Sequence, residues 1–196
     1  MSKIKEVYYQ AVNQAKAKGY FSNDVRLLLA SELGYSSPAD VLLHLEDEFP
    51  ANPRFFARFQ RLLDGEPVEY IVNEAKFLHY PLYVDSRVLI PRGETEELIA
   101  LISERIYDYF DPRNFLVVAD IGTGSGCIAI GLKSLGKNWL ITASDTSAGA
   151  LEVAKKNFAK FDLPINTLLG PSLEPYIQAN MNLDIIVSNP PYIRNK

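Results

Sequence analysis

A run of apolar residues, "LDIIVS", ends in Asn189, Pro190, Pro191 and Tyr192. Proline fixes its own φ, has no N–H to donate, and pushes the residue before it into extended backbone. Asn189 is therefore held outward, and its side-chain oxygen and the Pro190 carbonyl form a rigid pair of acceptors. Tyr192 can stack on a planar group held between them. Such a site suits an NH2 on a flat system, either a carboxamide or an exocyclic base amine. An amide nitrogen is a poor nucleophile because its lone pair is delocalised. Two acceptors on its hydrogens raise the electron density on nitrogen and aim the lone pair at an electrophilic methyl. The gain is one of orientation and electrostatics, with no strong general base.

A second cluster lies upstream. "VVADIGTGSGCIAIGL" places Gly122, Gly124 and Gly126, separated by Thr123 and Ser125, between an apolar strand and a helix. Glycines there allow a tight turn and bring backbone amides close to a ligand at the helix start. The spacing is G-x-G-x-G, which differs from the dinucleotide fingerprint. Asp120, just before the loop, would repel a pyrophosphate but suits a cationic amino group. Asp145 ends the next strand roughly 20 residues on, where a carboxylate can hydrogen-bond ribose hydroxyls. A ribose with a cationic amino-acid tail and no phosphate describes S-adenosylmethionine; the alternative is a purely structural turn. Cys127 reads as a small buried residue at the helix start, since no histidine nearby in sequence supports thiol chemistry.

These residues need elements to hold them. The first third reads as four capped helices, a small bundle. The first spans 3–18, and the second, "DVRLLLASELG", is opened by Asn23 and Asp24. The third, "SSPADVLLHLEDEF", has Ser37 as cap and Pro38 at its first position; the fourth starts at Asn52 and Pro53 and stops at Gly65. "EAKFLHYPLYVD" alternates like a hairpin around His79, Tyr80 and Pro81, and a helix begins near Glu94. Apolar strands then alternate with helices, which predicts a parallel sheet covered on both faces, with "LDIIVSN" beside the glycine-loop strand.

Composition excludes some classes. A hydrophobic content of 47% with 22% charged residues is that of a globular chain, not a disordered one. No apolar run is long enough to span a membrane. One cysteine permits no internal disulfide, which fits a reducing, cytoplasmic setting. A net charge of -4 argues against a broad nucleic-acid surface. No metal-ligand spacing is visible.

Nearly the whole chain resembles the HemK-type protein-(glutamine-N5) methyltransferases, which methylate the glutamine of the Gly-Gly-Gln motif in peptide-chain release factors. The likeness is carried by the helical N-terminal third, "GEPVEYI", Phe77, "VLIPRGETEELI", "DIGTGSGCIAI", "SDTSAGALEVAKKN" and "IIVSNPPYI". It implies a helical substrate-recognition domain over 1–65, a hairpin linker over 66–91 and a Rossmann-like α/β methyltransferase domain over 92–196. The four strands of that domain would stand in the order third, second, first, fourth. Gly122 to Gly126 would hold the methionine part of S-adenosylmethionine and Asp145 the ribose, with Asn189 bordering both ligands. Asn189, Pro190, Pro191 and Tyr192 would hold the glutamine amide. Phe77, Arg92 and Glu94 would lie on the substrate side, with Arg92 and the acids through Glu96 ordering the hairpin and the site's edge.

Departures from the family pattern are Gly93 in place of a proline, Glu69 and Asn73 in "GEPVEYIVNEAKF", and Pro171 where an acid usually follows the third strand. The family's sheet continues past this point, so the chain reads as the N-terminal part of a member. Competing readings are an N6-adenine or N4-cytosine DNA methyltransferase, and a fragment that retains only binding.

Overall fold

The computed structural model describes residues 2–50, 52–111, 114–136 and 138–190. The chain divides into two compact units, Met1–Asn73 and Glu74–Lys196.

The first unit is helical: α1 (Ile4–Ala17), α2 (Ser22–Leu33), α3 (Asp40–Leu43), α4 (Pro53–Leu63) and α5 (Val68–Val72). In α1, Ile4, Val7, Tyr8, Ala11, Val12 and Ala15 are buried, the spacing of one helical face. The first N–H groups of a helix have no partner within it, and here a distant segment supplies them. Ile4 N–H donates to the Asp47 carbonyl at 2.9 Å and Lys5 N–H to the Leu45 carbonyl at 3.0 Å. That contact explains why the expected third helix shrinks to a single turn. A longer helix would pair the Leu45 carbonyl with Phe49 N–H, but that N–H donates to the Ser2 carbonyl at 2.8 Å instead.

Helix α4 starts as its sequence predicts, with Asn52 Oδ1 accepting from Arg54 N–H at 3.1 Å and Phe55 N–H at 3.3 Å. Helix α5 lies inside this unit, in the stretch where the sequence reading begins a linker. Buried Arg58 of α4 ties it down, donating to the Ile71 carbonyl at 2.5 Å while pairing with the Glu32 carboxylate of α2. Removing one half of such a pair typically costs about 3–5 kcal/mol, because the other charge is left buried alone.

The second unit opens with an antiparallel hairpin, β1 (Ala75–Phe77) and β2 (Tyr80–Leu82). Phe77 faces Tyr80, so the turn is Leu78–His79 and Tyr80 and Pro81 belong to the strand. There follow α6 (Gly93–Arg105), β3 (Val117–Ile121), α7 (Cys127–Leu135), β4 (Leu140–Asp145), α8 (Ala148–Lys160), β5 (Asn166–Leu169), α9 (Glu174–Gln178) and β6 (Ile185–Ser188). The sheet is parallel throughout, in the order β5-β4-β3-β6. This is the α/β arrangement the sequence predicts, with the "LDIIVSN" strand against the glycine-loop strand. The middle residues of β3 and β4 are buried because both faces are covered, polar Asp120, Thr142 and Ser144 among them.

Register brings the site together. Ile121 pairs with both Ser144 and Ser188, and Asp145 with Leu169, so the loops leaving all four strands emerge at one edge. In open α/β sheets that edge is the ligand crevice. Tyr176 of α9 is buried and donates its hydroxyl to the Thr142 carbonyl at 2.9 Å, fastening α9 to β4. Among the described residues no helix is long and apolar enough to cross a membrane.

Candidate active site

Gly122, Gly124 and Gly126 have φ values of 73°, 54° and 84°, left-handed backbone that glycine adopts without a Cβ penalty. A Cβ on Gly126 would fall 2.5 Å from the Phe158 ring of α8, so this glycine admits close packing of the loop on that helix. At Gly122 and Gly124 a Cβ would meet nothing within 4 Å. These two present bare backbone to a hollow of about 60 Å³, lined by Leu89 to Arg92, Thr95, Gly122 to Ser125, Cys127, Ile128 and Asn189.

The loop's amides do not simply face outward. Gly122 and Thr123 N–H both donate to the Ser144 carbonyl, at 2.8 and 2.9 Å, and Gly126 N–H to the Thr123 carbonyl at 2.8 Å. Gly124 N–H donates to Asp145 Oδ2 at 3.0 Å, and Ser147 N–H to Asp145 Oδ1 at 2.9 Å. Buried N–H groups must be paired, and this loop pairs those of Gly122, Thr123 and Gly124 with β4 and that of Gly126 within itself. Each Asp145 oxygen still carries a lone pair for a further donor.

Asp120 lies beneath the loop with no exposed surface and does not line the hollow. Its Oδ2 accepts from the Thr123 hydroxyl at 2.6 Å and Ala129 N–H at 3.1 Å, while Oδ1 has no partner among the described residues. Burial pushes this carboxyl up to about 7, and the two hydrogen bonds act against that rise. Cys127 is buried, and burial pushes its thiol up to about 12. Burial thus disfavours the thiolate, the reactive form of a cysteine.

Two further side chains hold the site. Asn157 of α8 has no exposed surface. Its Oδ1 accepts from Tyr83 N–H at 2.7 Å, and its Nδ2 donates to the Tyr83 carbonyl at 2.9 Å and the Ser125 carbonyl at 2.8 Å. One amide thus joins the hairpin's exit to the glycine loop. At the other wall, Asn189 Nδ2 donates to the hydroxyl of buried Thr95, at 3.0 Å, in the first turn of α6. Asn189 and Pro190 are exposed at the end of β6.

Known protein families resemble both parts of the chain. The PrmC N-terminal domain family matches residues 6–72, and the Methyltransferase small domain family matches residues 103–196. The release factor glutamine methyltransferase of Staphylococcus aureus is 33% identical over 198 residues, covering 100% of this chain and 69% of the relative. That of Bacillus subtilis is 36% identical over 197 residues, covering 98% and 67%. The chain belongs to the release factor glutamine methyltransferase family. A further relative of that name, from Streptococcus pneumoniae, is 43% identical over 136 residues and is covered to 46% of its length.

The methyltransferase resemblance carried by the glycine loop, "VLIPRGETEELI" and "IIVSNPPYI" therefore holds. Of the residues it singles out, Gly122, Thr123, Gly124, Ser125, Arg92 and Asn189 meet at one hollow. Glu96 accepts from Leu78 N–H at 2.6 Å, across to the hairpin turn. Glu94 is exposed, and Gly126 packs on α8. Phe77, expected on the substrate side, has no exposed surface and is a core residue of this unit. Pro191 and Tyr192 lie outside the described residues.

Sequence reading passed over Asn157, and it placed Thr95 within the acidic turn without giving it a part. Both carry the same signal, a polar residue on an otherwise apolar helical stripe: Asn157 among Ala150, Val153, Ala154 and Phe158, and Thr95 above Ile99.

Proposed function

We propose that this methyltransferase uses S-adenosylmethionine to methylate the side-chain amide of the glutamine in the Gly-Gly-Gln segment of a peptide-chain release factor. The observation that carries the reading is Asn189. It sits at the rim of the glycine-loop hollow with Nδ2 anchored and Oδ1 accepting from no described residue. The cofactor fits the residues present, because Gly122 and Gly124 offer bare backbone and Asp145 retains acceptor capacity at the next strand end.

When bound, S-adenosylmethionine supplies an electrophilic methyl on sulfonium. The protein's part is positional. Asn189 Oδ1 and the Pro190 carbonyl each accept a hydrogen bond from the glutamine NH2, fixing the nitrogen and its lone pair against rotation. One of those two protons leaves to solvent as the N–CH3 bond forms. Asp145 takes the ribose hydroxyls while keeping the loop closed through Gly124. Asp120 supports the loop from below. The charge of the chain and its helical first unit favour a protein substrate over DNA, and such a substrate places the enzyme in the cytoplasm.

Radiolabelled S-adenosylmethionine should label a release factor carrying Gly-Gly-Gln and leave a Gly-Gly-Asn variant and duplex oligonucleotides unlabelled. Label on the oligonucleotide alone would move the chain to the base methyltransferases. For the cofactor site, calorimetry on Asp145→Ala should show a loss of about 1.5–3 kcal/mol, at least tenfold in affinity. Equal affinities would remove Asp145 from the site.

A further inference from the structure

The side-chain amide of Asn189 has two chemically opposite ends, and transfer needs the oxygen end turned to the substrate. Its terminal torsion joins sp³ and sp² atoms, which is broad and roughly two-fold, so an unanchored amide presents either end. A donor turned toward an incoming NH2 would repel it. Asn189 is exposed at a strand end, and the described residues give its side chain one hydrogen bond, to Thr95.

We propose that Thr95 is a positioning residue that holds the Asn189 amide by its Nδ2 end. Its hydroxyl accepts from Nδ2 and leaves Oδ1 for the substrate. This rests on the reading of Asn189 as the acceptor for the glutamine amide. Thr95 is suited to the task because it cannot follow a mobile partner. It is buried, and its own N–H is bonded to the Arg92 carbonyl at 3.0 Å in the tight first turn of α6. Its β-branched side chain has few rotamers available in a helix. The backbone that carries the hydroxyl is thus held on the wall facing β6. Thr95 acts through Asn189 and touches no reacting atom.

The test combines a readout of the bond with a readout of turnover. In ¹⁵N-labelled protein, the Asn189 side-chain amide is assigned by its loss in Asn189→Ala. It should show one hydrogen-bonded proton that reverts to a free-amide signal in Thr95→Val and returns in Thr95→Ser. Thr95→Val should lower kcat for the release factor tenfold or more through misorientation, with KM for the cofactor nearly unchanged, and Thr95→Ser should restore most of it. In the Asn189→Ala background, Thr95→Val should cost nothing further. A free-amide signal in the wild type overturns the inference whatever the activity. So does a Thr95→Val loss that persists undiminished in the Asn189→Ala background, since it would mark a helix defect. If the wild type shows the bonded proton but methylates no release factor, the bond stands and the functional reading falls.

Discussion

Replacing Asn189 with alanine is expected to lower methyl transfer by about 100-fold or more while S-adenosylmethionine affinity changes by only a few-fold. Alanine before Pro190 is held extended by the same steric rule as asparagine, so the strand exit and the Pro190 carbonyl keep their places. What disappears is Oδ1. The glutamine NH2 is then held at one point and turns about it, and misplaced reacting atoms cost on the order of 100-fold in rate. The bonds that shape the glycine loop run to Asp120, Ser144, Asp145 and Asn157 and do not involve Asn189. Single-turnover transfer at saturating cofactor, beside calorimetric cofactor titration, separates the two effects. A variant that keeps most of its turnover would confine Asn189 to shaping the end of β6.

Asn157→Leu should be the most damaging core substitution near the site. Leucine shares asparagine's side-chain branching, is bulkier, and has no polar atoms. It strands three backbone groups, Tyr83 N–H, the Tyr83 carbonyl and the Ser125 carbonyl, at a side chain with no exposed surface. A buried group left unsatisfied costs roughly 1–3 kcal/mol, so a loss on the order of 3 kcal/mol or more is expected. Urea unfolding can follow this unit by itself, because the chain's one tryptophan, Trp139, is buried in its core. The midpoint should fall, and cofactor affinity with it, since Ser125 belongs to the loop. A change under about 1 kcal/mol would mean that the three groups find other partners or water.

The alternation of strands with helices was legible because parallel strands covered on both faces are buried and largely apolar, as at Val118 and Ala119 of β3 and Ile141 and Ala143 of β4. The glycine loop was legible because three closely spaced glycines between strand and helix imply left-handed backbone, which all three adopt. The α4 start was legible because Asn52 and Pro53 act on their own neighbours. Where a signal is local, sequence carries it.

The third helix shows the limit. Its residues favour helix locally, yet the carbonyls of Leu45 and Asp47 complete α1, some forty residues earlier in the chain. The same holds at the site. Asp120 appears in sequence as a ligand-facing acid, but the fold sets it beneath the loop, bonded to Thr123 and Ala129. By itself the sequence determined which residues could do chemistry, the left-handed loop and the strand exit at Asn189, because glycine and proline act through their own backbone torsions. Tertiary structure alone decided that Thr95 meets Asn189 across the hollow and that Asn157 joins Tyr83 to Ser125. Those bonds link side chains and backbone far apart in the chain, and parallel register with helix packing brings them within reach.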